Sequence, residues 1–107
     1  MEAQPPMRVR YAPQAQLDIA SIYNHTVVQN PTAAQRVEDH IHSAIELLAT
    51  FPGLGVATDE EDVRRLPPGR FPYTVFYQVD ERAGEVHILR VIPPRLTSDL
   101  WNPGIGA

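Results

Sequence analysis

The chain contains no cysteine and no lysine, and it has no long apolar run. Without cysteine, neither disulfide bonds nor thiolate metal sites can form, which favours a reducing compartment. No stretch approaches the ~20 apolar residues of a membrane span, and the first residues lack the charged and apolar blocks of a signal peptide. We therefore expect a cytoplasmic protein that does not act at a membrane.

Charge is unevenly distributed along the chain. The 107 residues carry nine arginines and 13 acidic residues, for a net charge of −4. Residues 1–62 hold three of the arginines and nine of the acids, whereas residues 63–107 hold six arginines and four acids. Because nucleic-acid affinity comes mostly from neutralised phosphates, we expect no direct sequence-specific binding to nucleic acid. The arginine-rich second half is either a solvated sheet edge or a basic surface for a partner.

The length of the chain leaves room for a single core. The opening "MEAQPP" has no periodicity and ends in two prolines. We therefore predict an N-terminal tail at residues 1–6, one domain at residues 7–101, and a C-terminal tail at residues 102–107.

Two helices are predicted before the stretch "TFPGLG" at residues 50–55. Pro13 suits the first turn of a helix, where its missing amide hydrogen costs nothing. In "QNPT", Asn30 can cap a second helix that Pro31 begins. Because the link is so short, the two helices should form an antiparallel hairpin. The predicted apolar stripes comprise Ala15, Ile19, Ile22, Tyr23 and Thr26 in the first helix, and Ala34, Val37, Ile41, Ala44, Ile45 and Leu48 in the second.

Alternating residues predict the strands. "MRVRYAP" reads as a short strand that exposes Arg8 and Arg10 on one side. Further strands are predicted near residues 63–66, 73–79 and 85–92, and the last two form a hairpin around "DERAG". The predicted class is α+β, in the order β-α-α-β-β-β plus a short C-terminal tail, with a small antiparallel sheet packed on an N-terminal helical hairpin.

The predicted sheet is largely apolar on both sides, and a helical hairpin can cover only one of them. Tyr73 and Tyr77 share one side with the other odd-numbered residues of their strand. Simple alternation in the last strand predicts that the side chains of His87 and Arg90 point to opposite sides of the sheet. The second apolar side is expected to be covered by a partner.

Four stretches of the sequence resemble the RelE/ParE superfamily of bacterial toxins from type II toxin–antitoxin (plasmid stabilisation) modules, with ParE-like members the better match. They are "YAPQAQLDIASIYNHT", "AIELLATFPGLG", "VRRLPPGRFPYTVFYQVD" and "GEVHILRVIPPR". The similarity covers about residues 7–96, most of the chain. The resemblance implies a small curved sheet around a helical hairpin. It also implies a cognate antitoxin that packs along an exposed groove and forms a hetero-oligomeric complex with the toxin.

Two modes of action are implied by the resemblance. ParE-like members bind DNA gyrase and block it while it holds cleaved DNA, whereas RelE-like members cleave mRNA on the ribosome. Cleavage needs a base, an acid and cations for the phosphorane charge. Arg70, Arg90 and Arg95 could supply the cations, but the RelE-like pattern uses lysines and a tyrosine near the C-terminus, and the last tyrosine here is Tyr77. We therefore predict a stoichiometric gyrase inhibitor with no catalytic residues. A ribosome-dependent endoribonuclease and a non-toxic member that only binds antitoxin remain alternatives.

The candidate contact residues are the second-half arginines and aromatic residues. Each has a structural alternative: a sheet-edge charge for the arginines, an ion pair with an acid such as Asp18 for Arg90, and packing back onto the domain for Trp101. No metal or other cofactor is expected, since His40 and His42 are two residues apart and project to different faces of a helix. The predicted partner-binding residues are Arg64, Arg65, Arg70, Tyr73, Tyr77, Arg90, Arg95 and Trp101.

Overall fold

Two helices and five strands form in residues 6–66 and 73–93, the residues that this computed structural model describes. The strands make one sheet in the order β1-β5-β4-β3-β2, with β1 parallel to β5 and all other neighbours antiparallel. The predicted α+β class is confirmed, with one strand, β2, that was too short to predict. The elements are β1 (Arg8–Tyr11), α1 (Pro13–Gln29), α2 (Pro31–Thr50), β2 (Val56–Ala57), β3 (Arg64–Leu66), β4 (Thr74–Asp80) and β5 (Glu85–Ile92).

A single asparagine joins the two helices. Each helix begins at a proline, Pro13 for α1 and Pro31 for α2. The Asn30 amide donates to the Thr26 carbonyl at 2.8 Å, and the Asn30 side-chain oxygen accepts from the Ala33 amide at 3.1 Å. The same residue therefore ends α1 and caps α2, which confirms the predicted cap and the tight helical hairpin.

The main core lies between the helical hairpin and one side of the sheet. The predicted stripes face it, although Tyr23, Thr26 and Ala44 are only half-buried. Each large aliphatic side chain buried there contributes about 1.5–3 kcal/mol. Neither helix is both long and apolar enough to cross a membrane. The buried residues of this core are Ala15, Ile19, Ile22, Val37, Ile41, Ile45, Leu48, Val75, Tyr77, Val86, Ile88 and Val91.

A bulge interrupts the pairing of β4 with β5. Phe76 pairs with Arg90, but the next residue, Tyr77, pairs with Ile88, so Leu89 is an extra residue in β5. An extra residue breaks the strict alternation of side chains between the two sides of a strand. The residues of β5 buried in the main core are consequently Val86, Ile88 and Val91.

The bulge also corrects the predicted position of His87. His87 pairs with Gln78, and Arg90 pairs with Phe76. Paired residues share a side of the sheet, and Gln78 and Phe76 share a side because they are two residues apart. His87 and Arg90 therefore lie on the same side, and the prediction of opposite sides is wrong because it counted no extra residue at Leu89.

The second side of the sheet carries its own buried cluster. Val63, Phe76 and Ile92 are each at most 3% exposed, and the half-buried Leu89 packs against them. The expectation that this side is open to a partner is therefore wrong at these residues, since they are already buried within the chain. The predicted boundary at residues 101–102 lies outside the described residues, as does most of the predicted N-terminal tail.

Candidate protein-interaction site

Arg64 lies on the helix-facing side of the sheet, because it pairs with the core residue Tyr77. Its Nη2 atom approaches the Gly53 carbonyl oxygen at 3.4 Å, at the long limit for a hydrogen bond. Its Nε atom is buried and has no hydrogen-bond partner among the described residues. No carboxylate among the described residues forms an ion pair with Arg64. Because Nε is buried, a carboxylate from a partner would have to bind this guanidinium at its terminal nitrogens.

Arg65 points to the other side of the sheet and is exposed. It pairs with Phe76, which pairs in turn with Arg90. Two arginines thus lie in one row across three strands, on either side of a buried phenylalanine. Because Arg64 and Arg65 face opposite sides of the sheet, they do not form one continuous basic surface.

Tyr77 is fully buried, which corrects its assignment as a partner-contacting residue. Its hydroxyl donates to the Pro52 carbonyl at 2.8 Å and accepts from the Gly55 amide at 2.8 Å. The side chain therefore fastens the α2–β2 loop to the core and leaves no surface for a partner. Tyr73 is half-buried and packs against the main core, so only part of it remains accessible.

Arg90 forms a two-pronged ion pair with Asp18 of α1. Its Nε and Nη2 atoms donate to the two carboxylate oxygens of Asp18 at 2.7 and 2.9 Å. Charge-assisted pairs of this geometry are the strongest hydrogen bonds in proteins. The hydrogen bonds from Arg90 to Asp18 raise the pKa of the guanidinium. The structure confirms the alternative in which an acid from the first helix pairs with Arg90.

Asp18 also completes the edge of the sheet. β1 pairs with β5 only as far as the contact between Tyr11 and Ile88. Beyond that point the Val91 amide donates to Oδ2 of Asp18 at 2.9 Å, where a strand would otherwise be needed. One carboxylate therefore satisfies both the guanidinium and a backbone donor at the free edge of β5.

Three candidate residues lie outside the described part of the chain. Arg70, Arg95 and Trp101 fall within residues 67–72 and 94–107, so their assignment as partner-binding residues remains a prediction.

A charged cluster that we did not predict surrounds Glu85, where β1 meets β5. Its Oε2 atom lies 3.1 Å from Arg10 Nε and 3.4 Å from Arg8 Nη2, and its Oε1 atom lies 2.9 Å from His87 Nε2. The hydrogen bond from Arg10, and after it the one with His87, lowers the pKa of Glu85. Alternation identified the two arginines as exposed, but their acid partner follows them by about 75 residues and gave no local signal.

The lowered pKa of Glu85 predicts a defined pH dependence of stability. The folded state favours the ionised carboxylate, because the pKa of Glu85 is lower in the folded chain than its ordinary value of 4.5. The contribution of Glu85 to stability is therefore complete above pH 4.5, and it is lost as the pH falls through the lower pKa of the folded state. We expect Glu85→Gln to lower the melting temperature by a few degrees at pH 7 and by less at pH 4, because exposed ion pairs contribute modestly. Thermal melts across this pH range test the expectation.

The matched control is Glu81→Gln, because the Glu81 carboxylate forms no ion pair with a described residue. It should leave the pH profile close to that of the wild type. If the melting temperatures of the wild type and of Glu85→Gln change with pH in parallel, ionisation of Glu85 is not linked to folding.

A second feature that we did not predict is an exposed apolar surface where α2 ends. We name it the α2-end surface and define it as Leu47, Phe51 and Leu54, whose exposed fractions are 46–57%. Val56 is also exposed, but it pairs with Arg65 and therefore faces the other side of the sheet. A signal for it existed, since Leu47 falls outside the predicted apolar stripe of α2 and so must point away from the core.

A small groove lies where β1 meets the two helices. The Tyr11 hydroxyl is 3.2 Å from His42 Nδ1, and burial, with a smaller effect from Glu46, raises the pKa of Tyr11. The groove has a volume of about 400 Å³ and also includes Ile19 and Glu38. Within residues 6–66 and 73–93, no group of three or more His, Asp or Glu side chains could hold a metal ion.

Comparison with known proteins places this geometry in a family. The family described as "ParE toxin of type II toxin-antitoxin system, parDE" matches residues 9–95. The chain is similar to a structure of the chromosomal ParDE toxin–antitoxin system from P. aeruginosa, with 26% identity, a TM-score of 0.71, and coverage of 81% of this chain and 95% of that one. The comparison with curated proteins gives no match.

A second solved structure shows the same fold. It is the toxin–antitoxin complex RelBE2 from Mycobacterium tuberculosis, with 22% identity, a TM-score of 0.63, and coverage of 87% of this chain and 97% of that one. The helical hairpin, the five-stranded sheet and the family match over residues 9–95 agree with one another. The chain therefore belongs to the ParE toxin family of type II toxin–antitoxin systems.

Proposed function

We propose that this toxin acts in the cytoplasm as a stoichiometric inhibitor of DNA gyrase, and that a cognate antitoxin neutralises it by direct binding. The observation that carries the proposal is the match to the ParE family over residues 9–95. The net charge of −4 supports a protein target, because an inhibitor that binds protein surface needs no excess of cations.

The positions of the candidate catalytic groups support inhibition rather than RNA cleavage. A nuclease needs free groups to move protons and to stabilise the phosphorane charge. The chain has no lysine. The Tyr77 hydroxyl is engaged with the α2–β2 loop, and two nitrogens of Arg90 are engaged with Asp18. His87 does share a side of the sheet with Arg90, but it lies beside the Glu85 carboxylate at 2.9 Å.

A gyrase supercoiling assay tests the proposed function directly. Purified full-length chain should inhibit supercoiling and cause cleaved DNA to accumulate at roughly equimolar ratios to gyrase, as expected for tight binding without turnover. A cell-free translation reaction with the same protein should proceed normally. Addition of the cognate antitoxin should restore supercoiling.

Two outcomes contradict the proposal in different ways. Arrested translation with unaffected gyrase would favour a ribosome-dependent endoribonuclease, with Arg70, Arg90 and Arg95 as candidate charge stabilisers. Unaffected gyrase and translation, with no growth arrest on expression, would indicate a member that retains only antitoxin binding.

A further inference from the structure

Three apolar residues are almost completely buried on the second side of the sheet, although neither helix lies there. Val63, Phe76 and Ile92, which we name the Phe76 cluster, are 3%, 2% and 0% exposed. Among the described hydrophobic residues, only the half-buried Leu89 packs against them, because the helices pack on the other side in the main core. An apolar side of a sheet is buried only when a second layer covers it. Another part of the chain must therefore provide that layer.

The cover is confined to one end of this side. Thr74 and Ile92 pair with each other at the end of β5 and are 4% and 0% exposed. Toward the β4–β5 turn, on the same side, Gln78 and His87 are only half-buried and Asp80 is exposed. Exposure thus increases along the sheet with distance from the point where β5 ends.

Two stretches of the sequence join the sheet at the covered end. Residues 67–72 connect β3 to β4, and apart from prolines their one large apolar residue is Phe71. Residues 94–101 follow β5, and a single tryptophan among them would bury about 150–250 Å². The large apolar residues of this second stretch are Leu96, Leu100 and Trp101. It therefore has more apolar surface to bury than the first stretch.

The second stretch is also long enough to cover the Phe76 cluster. Eight extended residues reach roughly 26 Å. The cluster lies on or beside three neighbouring strands, β3 to β5, whose spacing makes it about 10 Å wide. Residue 94 comes two residues after Ile92, which is itself a member of the cluster. The stretch therefore begins at the surface that needs a cover.

We infer that residues 94–101 fold back over the second side of the sheet and bury the Phe76 cluster, with Trp101 as the main anchor. We call this stretch the C-terminal strap. The inference concerns contacts within one chain, so it does not depend on the proposed function. It assigns Trp101 to the fold rather than to a partner. The strap then limits how a partner approaches Arg65 and Arg90, which lie on either side of Phe76.

Tryptophan fluorescence of the full-length chain tests whether the strap is packed. Trp101 is the only tryptophan in the sequence, so the signal reports on the strap alone. Its emission maximum should lie at a shorter wavelength in the folded chain than in the chain unfolded in urea, and acrylamide should quench it less. Equal emission and equal quenching in the two states would overturn the inference.

A nitroxide label shows where Trp101 packs. The chain has no cysteine, so Arg65→Cys gives a single labelling site beside Phe76, with which residue 65 pairs. A nitroxide at this site should quench most of the Trp101 fluorescence. The matched control is Arg36→Cys, which changes an exposed arginine of α2, on the other side of the sheet, and should quench little. Equal quenching from the two sites would contradict the inference.

A mixing experiment distinguishes a strap within one chain from an exchange between two copies. Labelled Arg65→Cys chain that also carries Trp101→Phe should leave the fluorescence of unlabelled wild-type chain unchanged. Quenching in this mixture would place the strap on a neighbouring copy, and the inference would be wrong.

Two truncations test what the strap contributes to the fold. A chain that ends at Pro93 should bind a dye for exposed apolar surface and melt several degrees below the full-length chain, because the Phe76 cluster loses its cover. A chain that ends at Trp101 is the control and should match the full-length chain in both measurements. If Phe71→Ser exposes the cluster and truncation at Pro93 does not, the β3–β4 connection is the cover and the strap is not. The fluorescence of the full-length chain decides the question even where the shorter chain does not fold.

Discussion

Replacing Asp18 by alanine is expected to lower the free energy of unfolding by about 3 kcal/mol, at the lower end of the range for breaking a buried ion pair. The side chains of Asp18 and Arg90 are only 10% and 18% exposed. The substitution removes both carboxylate contacts of Arg90 and leaves the Val91 amide without its acceptor. For a chain of this length, such a loss should reduce the melting temperature by roughly 12–15 °C. Urea and thermal unfolding monitored by circular dichroism measure both quantities.

The matched control for this substitution is Asp39→Ala. Asp39 also lies on a helix and accepts a side-chain hydrogen bond, from Gln35 at 2.9 Å, but the contact is exposed. Its loss should change the free energy of unfolding by no more than about 0.5 kcal/mol. An equal effect of the two substitutions would mean that the position of Asp18 at the sheet edge gives it no special importance.

A double-mutant cycle distinguishes a structural Arg90 from one that contacts a target. If the main role of Arg90 is its ion pair with Asp18, the effects of Arg90→Ala and Asp18→Ala on the free energy of unfolding should not add. Their coupling free energy should be about 1–3 kcal/mol. Arg90→Lys should also lose stability, because lysine keeps the charge but lacks the planar fork that binds both carboxylate oxygens. Weak coupling, with lost inhibition in a stable Arg90→Ala variant, would instead make Arg90 a contact residue.

Replacing Gly55 by alanine is expected to destabilise the chain by about 3 kcal/mol, near the upper end for overpacking. A Cβ atom at this position would lie 2.6 Å from the backbone oxygen of Arg65 and 2.6 Å from the Tyr77 hydroxyl. The tyrosine ring is fully buried and the Arg65 oxygen belongs to a strand, so neither can move without breaking other contacts. Chemical denaturation measures the loss.

Gly53→Ala is the control, because it is in the same loop and a Cβ there meets nothing within 4 Å. It should be neutral or slightly stabilising, since alanine restricts the unfolded chain more than glycine does. A tolerated Gly55→Ala substitution would show that the loop can rearrange. The α2-end surface would then not be held in one shape.

Local patterns in the sequence predicted the helical part of the fold. Both helices begin at their prolines, and Asn30 caps α2 as expected, because proline geometry and capping depend on neighbours within one turn. The apolar stripes identified the core-facing sides for the same reason, since a helical period of 3.6 residues is a local property. The resemblance of four stretches to one toxin superfamily then indicated how these elements are arranged.

The candidate site was predicted less well, because its geometry depends on contacts between distant residues. Arg64 and Arg65 are adjacent, and alternation alone indicates that they face opposite sides. No local signal showed that Tyr77 would use its hydroxyl to hold a loop more than 20 residues earlier in the chain. The ion pair of Arg90 with Asp18 could be named only as one possibility among the acids.

The sequence by itself determined the helical hairpin, the order of the four longer strands along the chain and the family, because these follow from local periodicity and from the motifs of the chain. Only the tertiary structure decided which side chains share a face of β5, since the extra residue at Leu89 shifts the alternation and is defined by pairing with β4. Tertiary contacts likewise decided that Asp18 completes the sheet edge and that Tyr77 is buried. Those choices depend on which surfaces meet, and no window of neighbouring residues contains that information.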